Sequence, residues 1–351
     1  KVDRKKPEAI KQLQFYKALL ITYTAAINHA HRYGKLAAEL KELSGIDTGY
    51  APTGGIIPCL GEAELEARAQ FIEKLRAETE DGTYPASVLS RKELEGMLPK
   101  VPFGPEVSGG IWSDMDGYVD PLHLMFAFRK SFVRLGGTLF AGERVSEVKP
   151  SGKGYAVVCG GRTLECGKAV LAAGLGVRKL AAQLGTDIPV FPNKSQVMLL
   201  ERIPADVLPI PLLGIARTFG GTVMIGAAHE NMGMDRRLTP EVLAANAQWA
   251  VRVWPELERK RILRFWTGLR VWPKDAYPIY DRIPGHENAF VFAMHSAVSL
   301  AAILEQALPD YVMGKPLPPD GAIFGLSRFA GGGSGFQGSA ASSPHAEAPN
   351  K

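Results

Sequence analysis

The residues best suited to chemistry lie within the stretch 267–308. Arg270 ends a run of β-strand composition, and the apolar run 288–294 directly precedes His295. Such a run is typical of a buried parallel strand, and we expect a helix to follow it from about Ala297. A strand, a polar turn and a helix N-terminus form a site for an anion or an electron-rich carbonyl. The alternative is a βα unit that only packs a core.

Two side chains in this stretch have specific chemical uses. The guanidinium fork of Arg270 can bind a carboxylate through two hydrogen bonds, or it can form a structural ion pair. His295 can contact a ligand, or it can be a core histidine whose ring nitrogens are both satisfied. The sequence has no His/Cys/Asp/Glu cluster at ligand spacing, so we expect no metal site. The three cysteines have no base partner in the sequence, so nucleophilic catalysis has no support.

The predicted elements that would position these residues alternate between strands and helices. The apolar run 169–174 reads as a buried strand that stops at Gly174, and glycine pairs at 160–161 and 220–221 predict two hairpins. A short strand is expected at 138–141. Ser90 and Glu93 match a capping box. Helices are predicted over the ranges 7–43, 62–78, 121–135, 177–184 and 240–253.

The order G-L-R at 268–270, D-x-x-P at 275–278, an apolar strand and then His295-Ser296 resembles the C-terminal flavin-binding segment of the D-amino-acid oxidase / glycine oxidase superfamily. Met294-His295-Ser296 and the closing L-S-R-F at 326–329 look most similar to one branch. That branch holds the catalytic subunits of opine oxidases, D-hydroxyproline dehydrogenases and hydrogen cyanide synthase. The resemblance covers about residues 40–329 and implies an FAD-dependent amine oxidoreductase.

The resemblance also implies roles for individual residues. Arg270 aligns with the arginine that grips the substrate carboxylate, and His229 falls where the substrate domain approaches the flavin. His295 becomes a flavin neighbour. A strand-end histidine of no chemical role is the alternative for His229. The positions that match cofactor-binding segments are Val145, Ala173, Gly174, Met294, His295, Ser296, Ala297, Val298 and Ser299.

The implied fold is a mixed α/β (α+β) protein. A Rossmann-like FAD-binding domain comprises residues 1–48, 117–187 and 268–329, and an antiparallel-sheet substrate domain comprises 49–116 and 188–267. A disordered tail is expected at 330–351. No strand–G-x-G-x-x-G–helix fingerprint opens the sequence. We therefore expect that an N-terminal segment is missing from it, or that this protein has lost one.

Composition limits the classes of function. The 351 residues carry a net charge of +5 with scattered basic residues, which argues against a nucleic-acid partner. No apolar run reaches the length of a membrane span. Three cysteines are too few for a disulfide framework and favour a reducing compartment. We expect a cytoplasmic protein, associated with a membrane only through its partners.

These observations favour FAD-dependent oxidation of a carboxylate-bearing amine: an amino acid, an imino acid or an opine. The branch resemblance implies partner subunits that accept the electrons. The alternative is a non-catalytic or truncated family member that assembles without a cofactor. Colour separates the two, since a flavoprotein is yellow.

Overall fold

A computed structural model describes residues 32–78, 84–226, 228–317 and 319–332. Within these ranges the chain forms two compact units. The first unit comprises residues 136–193 and 270–332, and the second comprises 32–135 and 194–269. Residues 32–48 and 117–135, which we expected in the cofactor-binding domain, cluster with the second unit.

The first unit contains two small sheets. Its strands are β4 (Val145–Ser151), β5 (Gly154–Cys159), β6 (Arg162–Cys166), β7 (Ala169–Leu171), β12 (Ile279–Arg282) and β13 (Ala289–Ala293), and its helices are α5 (Val177–Ala182), α7 (Ala301–Val312) and α8 (Pro319–Ala322). Strands β4, β5 and β6 form an antiparallel sheet. In the other sheet β13 lies between β12 and β7, antiparallel to the former and parallel to the latter.

All five residues of β13 are buried, because β12 and β7 flank the strand and apolar clusters pack around it. The predicted buried parallel strand is therefore confirmed. The predicted hairpin at Gly160-Gly161 is confirmed as well, since β5 and β6 pair antiparallel around two glycines with positive φ. That φ region is open to glycine at no steric cost.

The second unit is built mainly from antiparallel sheets. Its strands are β1 (Gly55–Leu60), β2 (Ser87–Ser90), β3 (Val107–Ser113), β8 (Val190–Arg202), β9 (Ile215–Arg217), β10 (Thr222–Gly226) and β11 (Ile262–Pro273), and its helices are α1 (32–44), α2 (Glu62–Glu78), α3 (Arg91–Met97), α4 (Pro121–Arg134) and α6 (Pro240–Val253). The unit boundary falls inside β8 and β11. The sheet orders are β1-β3-β2 and β11-β8-β10-β9.

Local sequence signals account for several element ends in this unit. Ser90 caps α3, its side chain accepting from the Glu93 N–H while the Glu93 carboxylate accepts from the Ser90 N–H, which confirms the capping box. Asp120 caps α4, with its carboxylate accepting from two backbone N–H groups of the first turn. Pro121 occupies the first helical position, where no N–H is needed.

Three 3₁₀ helices complete the described elements: Gly174–Gly176, Pro255–Arg259 and Leu326–Gly332. The last of them includes residues 330–332, so the predicted disordered tail begins too early. The rest of that prediction, at 333–351, and the predicted helical stretch 7–31 lie outside the described residues.

The predicted strand at 138–141 is wrong. Residues 138–140 form no regular element and residue 141 lies in a turn, and in the described part of the chain no neighbouring strand pairs with them. Leu139 and Phe140 are correspondingly exposed, at 44% and 39%. A β-like composition predicts a strand only where a partner supplies a ladder.

Candidate functional site

The candidate site lies at the carboxyl edge of the parallel pair β7–β13 in the first unit. Val291 of β13 is level with Leu171 of β7, so the segments that follow both strands leave the sheet at the same edge. Ligands of α/β sheets bind outside the carboxyl ends of parallel strands. Residues 172–173 and 296–299 are exposed there, although all of β13 and two of the three residues of β7 are buried. Two of the predicted cofactor-binding segments therefore lie together.

Gly174 begins a 3₁₀ turn three residues after Leu171, the last residue of β7, and has φ of +56°. An added Cβ would meet Val271 Cγ2 at 3.5 Å, which is an ordinary contact. The backbone conformation, rather than crowding within the protein, is what calls for glycine here. The peptide beside it stays open to close approach by a ligand.

The segment after β13 differs from the expected helix. Helix α7 begins at Ala301, four residues later than predicted, and residues 297–300 form a turn. Ser296, immediately before this turn, has φ of +59° and so lies outside the right-handed helical region. The Leu300 N–H donates to the Ser296 carbonyl at 3.1 Å, so the turn still has one helix-like hydrogen bond. The first N–H groups of such a turn point outward.

Arg270 and Trp272 lie two residues apart on β11 and therefore project from the same face of the strand. Val271, between them, packs on the opposite side against the apolar core of the first unit. Arg270 is half-buried, and this desolvation lowers the pKa of its guanidinium. A partly desolvated cation favours an anionic partner, because a carboxylate replaces the hydration that burial removes.

His295 is held from several directions. Its ring stacks on the Trp272 ring with centroids 4.5 Å apart and planes 19° apart, and its Nδ1 lies 2.7 Å from Ser296 Oγ. Burial and the nearby charge of Arg270 lower the pKa of His295, and a hydrogen bond to the Ala276 backbone opposes that shift. The ring is consequently neutral near pH 7.

The remaining predicted residues occupy other places. Val145 is the first residue of β4 and packs, half-buried, against the core cluster that contains Leu171. Met294 is half-buried behind the turn, where its sulfur accepts a hydrogen bond from the Tyr280 hydroxyl at 3.6 Å. His229 belongs to the second unit and is half-buried beside Glu230.

Sequence reasoning missed Trp272. The strand alternation that starts at Arg270 could have found it, since residues two apart on a strand share a face. Sequence reasoning also gave Asp275 and Arg328 no role beyond family resemblance. They form a buried ion pair, with Arg328 Nε 2.8 Å from Asp275 Oδ2. That pairing joins residues 53 positions apart, and no local pattern carries it.

The residues at the edge fit a flavin. Binding of the flavin ring system has two requirements. The protein backbone must approach the ring with no side chain in the way, and backbone N–H groups must lie near an electron-rich carbonyl of the ring. Gly174 allows the close backbone approach, and the exposed turn 296–299 provides the N–H groups. These segments would hold the flavin, with Arg270 and His295 beside them.

The chain matches the profile of the DAO family, described as FAD dependent oxidoreductase, over residues 12–304, and it belongs to that family. Among its relatives, an opine oxidase subunit of Agrobacterium tumefaciens is 32% identical over 86% of this chain and 80% of the relative. Hydrogen cyanide synthase subunit HcnC of Pseudomonas aeruginosa is 29% identical over 85% of this chain and 72% of its own length.

Solved structures agree on the fold. Glycine oxidase from Geobacillus kaustophilus superposes with a TM-score of 0.79 at 23% identity, covering 87% of this chain and 82% of that one. The predicted superfamily, its mixed α/β fold, the FAD cofactor and the class of enzyme are thereby confirmed. The chain is an FAD-dependent oxidoreductase of amino-acid or opine oxidase type.

A membrane-spanning helix or a metal site among the described residues would also bear on function. No helix within the described ranges is long and apolar enough to cross a bilayer. Among the same residues, no group of three or more His, Cys, Asp or Glu side chains is arranged to hold a metal ion.

Proposed function

We propose that this protein oxidises a carboxylate-bearing amine, whether an amino acid, an imino acid or an opine, and that Arg270 binds the substrate carboxylate. The observation that carries the proposal is the half-buried Arg270 guanidinium, with its lowered pKa, on the same strand face as Trp272 and close enough to His295 to depress its pKa. FAD, when bound, would supply the acceptor for a hydride from the carbon beside the substrate nitrogen.

Arg270 orients the substrate by fixing its carboxylate with a planar pair of donors. His295 is neutral and stacked, so it contributes shape and hydrogen bonding at the flavin edge rather than charge. His229 is proposed as a second substrate contact; its neighbour Glu230 is buried and hydrogen-bonded, which fixes the backbone beside it.

Arg270→Ala tests the main assignment. Losing two hydrogen bonds to a charged group should raise KM by at least about 100-fold, since such bonds contribute roughly 1.5–3 kcal/mol each. The visible flavin spectrum should be unchanged. Arg264→Ala is a matched control, because Arg264 is an exposed arginine of the same strand. A normal KM in Arg270→Ala, or loss of flavin with unchanged substrate affinity, would show that Arg270 does not bind the substrate carboxylate.

The alternative is a cofactor-free protein that serves only in assembly. It predicts a colourless protein that stays colourless with added FAD, whereas the oxidoreductase is yellow and bleaches with its substrate. The opine oxidase and hydrogen cyanide synthase relatives both carry the word subunit in their names. By analogy we propose a partner protein that accepts the electrons, so that the reduced chain alone reacts slowly with oxygen.

The compartment is a further part of this proposal. Cys59, Cys159 and Cys166 are free thiols, which suits a reducing compartment such as the cytoplasm. Fractionation of cells that express the intact protein is the direct measurement.

A further inference from the structure

The first unit contains a buried ion pair between Asp275 and Arg328. Their side chains are 0% and 8% exposed. The guanidinium engages both carboxylate oxygens, with Nε to Oδ2 of 2.8 Å and Nη2 to Oδ1 of 3.1 Å. It also donates to the carbonyls of Tyr277 and Pro278, at 3.1 and 2.9 Å. Arg328 thus binds three groups of the turn 275–278 and fixes that turn as a body.

The turn has an unusual conformation at its centre. Ala276 has φ of +66°, a region that non-glycine residues rarely occupy. Its N–H donates to the Pro273 carbonyl at 2.8 Å, and the Tyr277 N–H donates to Asp275 Oδ1 at 3.2 Å. Strained backbone persists where surrounding contacts over-determine it. The Arg328 bonds are those contacts.

Ala276 connects this turn to the candidate site. Its N–H donates to the carbonyl of Pro273 at 2.8 Å, and Pro273 directly follows Trp272, the ring on which His295 stacks. The Ala276 backbone also acts on the His295 ring, raising its pKa, and the Nδ1 of that ring lies 2.7 Å from Ser296 Oγ. Ser296 is the positive-φ residue from which the exposed turn 296–299 departs. A continuous series of polar contacts therefore runs from Arg328 through the turn 275–278 and His295 to the edge of the sheet.

We propose that Arg328 is a positioning residue for the flavin-side edge: by clamping the turn 275–278 it fixes the orientation and tautomer of His295, and His295 with Ser296 fixes the turn 296–299. The inference rests on the proposed use of that turn at the flavin. Arg328 itself touches neither flavin nor substrate. Its planar fork is essential, because the two carboxylate bonds and the carbonyl bonds need fixed donor directions.

The test compares Arg328→Lys with wild type, using the FAD-loaded protein. Lysine keeps the charge but cannot reproduce the fork. In ¹⁵N-histidine NMR spectra, with His295 assigned from His295→Gln, the wild type should show one tautomer and Arg328→Lys a mixture. The FAD dissociation constant should rise roughly tenfold or more, as is usual when a supporting contact behind a ligand site is lost. Arg178→Lys is the matched control, because Arg178 forms an exposed ion pair with Asp187 in the same unit.

A merely structural pair gives a different result. It lowers the melting temperature of Arg328→Lys while the His295 tautomer and the FAD dissociation constant stay at wild-type values, and that outcome overturns the proposal. If Arg328→Lys does not fold, Ser296→Ala tests the last contact in an exposed position, with the same mixed tautomer and weaker FAD binding expected. A single tautomer with wild-type FAD binding in Ser296→Ala also overturns it. None of these readouts needs a substrate, so an error in the proposed substrate leaves them unaffected.

Discussion

Each unit of the molecule has a buried ion pair, and the two pairs are built differently. In the first unit Arg328 meets Asp275 through a planar fork and adds backbone carbonyls of one turn. In the second unit Lys194 meets Glu230 at 3.1 Å, with side chains that are 1% and 5% exposed. There the partners are mostly side chains, because Thr239 and Gln196 complete the network.

The second network is saturated around its lysine. Lys194 Nζ has three acceptors, which are Glu230, Thr239 Oγ1 and the Arg237 carbonyl, for its three N–H bonds. Both Glu230 oxygens are used, one by Gln196 and the other by Thr239 and Lys194. A fully satisfied network of this kind rigidifies the loop between its members.

Burial of charge therefore serves two ends in this molecule. The lysine network joins β8 to the segment 228–239 within one unit and chiefly holds that segment. The arginine pair holds a strained turn that contacts His295, and so acts on the candidate site. Buried pairs are weak evidence for stability in themselves, because desolvation offsets their attraction. The two ion pairs therefore differ chiefly in which neighbouring groups they hold in place, and less in how strongly their own charges attract each other.

The largest expected effects come from removing one cation of each pair. Arg328→Met and Lys194→Met each leave a buried carboxylate unpaired, which should lower the free energy of unfolding by about 3–5 kcal/mol. Urea denaturation measures this. Only Arg328→Met should also weaken FAD binding in the fraction that remains folded. Equal FAD affinity in the two variants would remove the distinction between the pairs.

A smaller effect sharpens the distinction. Thr239→Val removes a hydroxyl that accepts from Lys194 and donates to Glu230, both at 2.7 Å, and should cost about 1–3 kcal/mol of unfolding free energy. Ser296→Ala removes a hydroxyl at an exposed position and should change that free energy by less than about 0.5 kcal/mol. Its effect should instead be on FAD affinity. A large loss of stability in Ser296→Ala would contradict this division.

The sequence predicts those parts of the fold that local signals determine. The capping box at Ser90, the glycine hairpin at 160–161 and the apolar strand 289–293 all follow from spacing and composition, and all are present. The strand expected at 138–141 fails because strand formation depends on a partner that composition does not reveal.

The candidate site was predictable only in part. Family resemblance assigned Gly174 and the 294–299 segment to the flavin, and the parallel pairing of β7 with β13 brings the two segments to one edge of the sheet. The start of α7 was misplaced by one turn, because residues 297–300 carry no local signal that a separate turn precedes the helix. The stack of Trp272 on His295 and the clamp by Arg328 depend on tertiary contacts between distant residues.

Near neutral pH, the pH dependence of stability is expected to come mainly from His295 in the first unit. Burial and the charge of Arg270 lower the folded-state pKa of His295, so the unfolded chain binds its proton more readily. Stability is therefore complete above the usual histidine pKa of about 6.5 and falls as pH drops below it, until the folded pKa is reached. Denaturation midpoints measured from about pH 8 to pH 5 should show this fall.

Two variants check the assignment to His295. His295→Gln should flatten the fall in stability, because the group that takes up the proton on unfolding is gone. Arg270→Ala should reduce the fall, because it removes the nearby charge that helps to depress the pKa of His295. An unchanged pH profile in His295→Gln would assign the effect to another group.

Thiol labelling reports on each unit individually, and it needs no change in overall stability to do so. Cys59, in the second unit, is fully buried, and burial raises its pKa to about 12. Cys166, in the first unit, is half-buried, and burial raises its pKa as well. Since only thiolate reacts, iodoacetamide should modify Cys166 first and Cys59 only when the second unit opens. Cys166→Ser is the control that identifies the fast site by mass spectrometry.

The same labelling rates can be measured in variants that lack the cation of each buried ion pair. Because removing the cation of a buried pair leaves a carboxylate unpaired and should destabilise the unit that contains it, Arg328→Met should speed the labelling of Cys166, and Lys194→Met that of Cys59. Labelling of both thiols that accelerates equally in both variants would mean that the units open together and that the two pairs stabilise one cooperative structure.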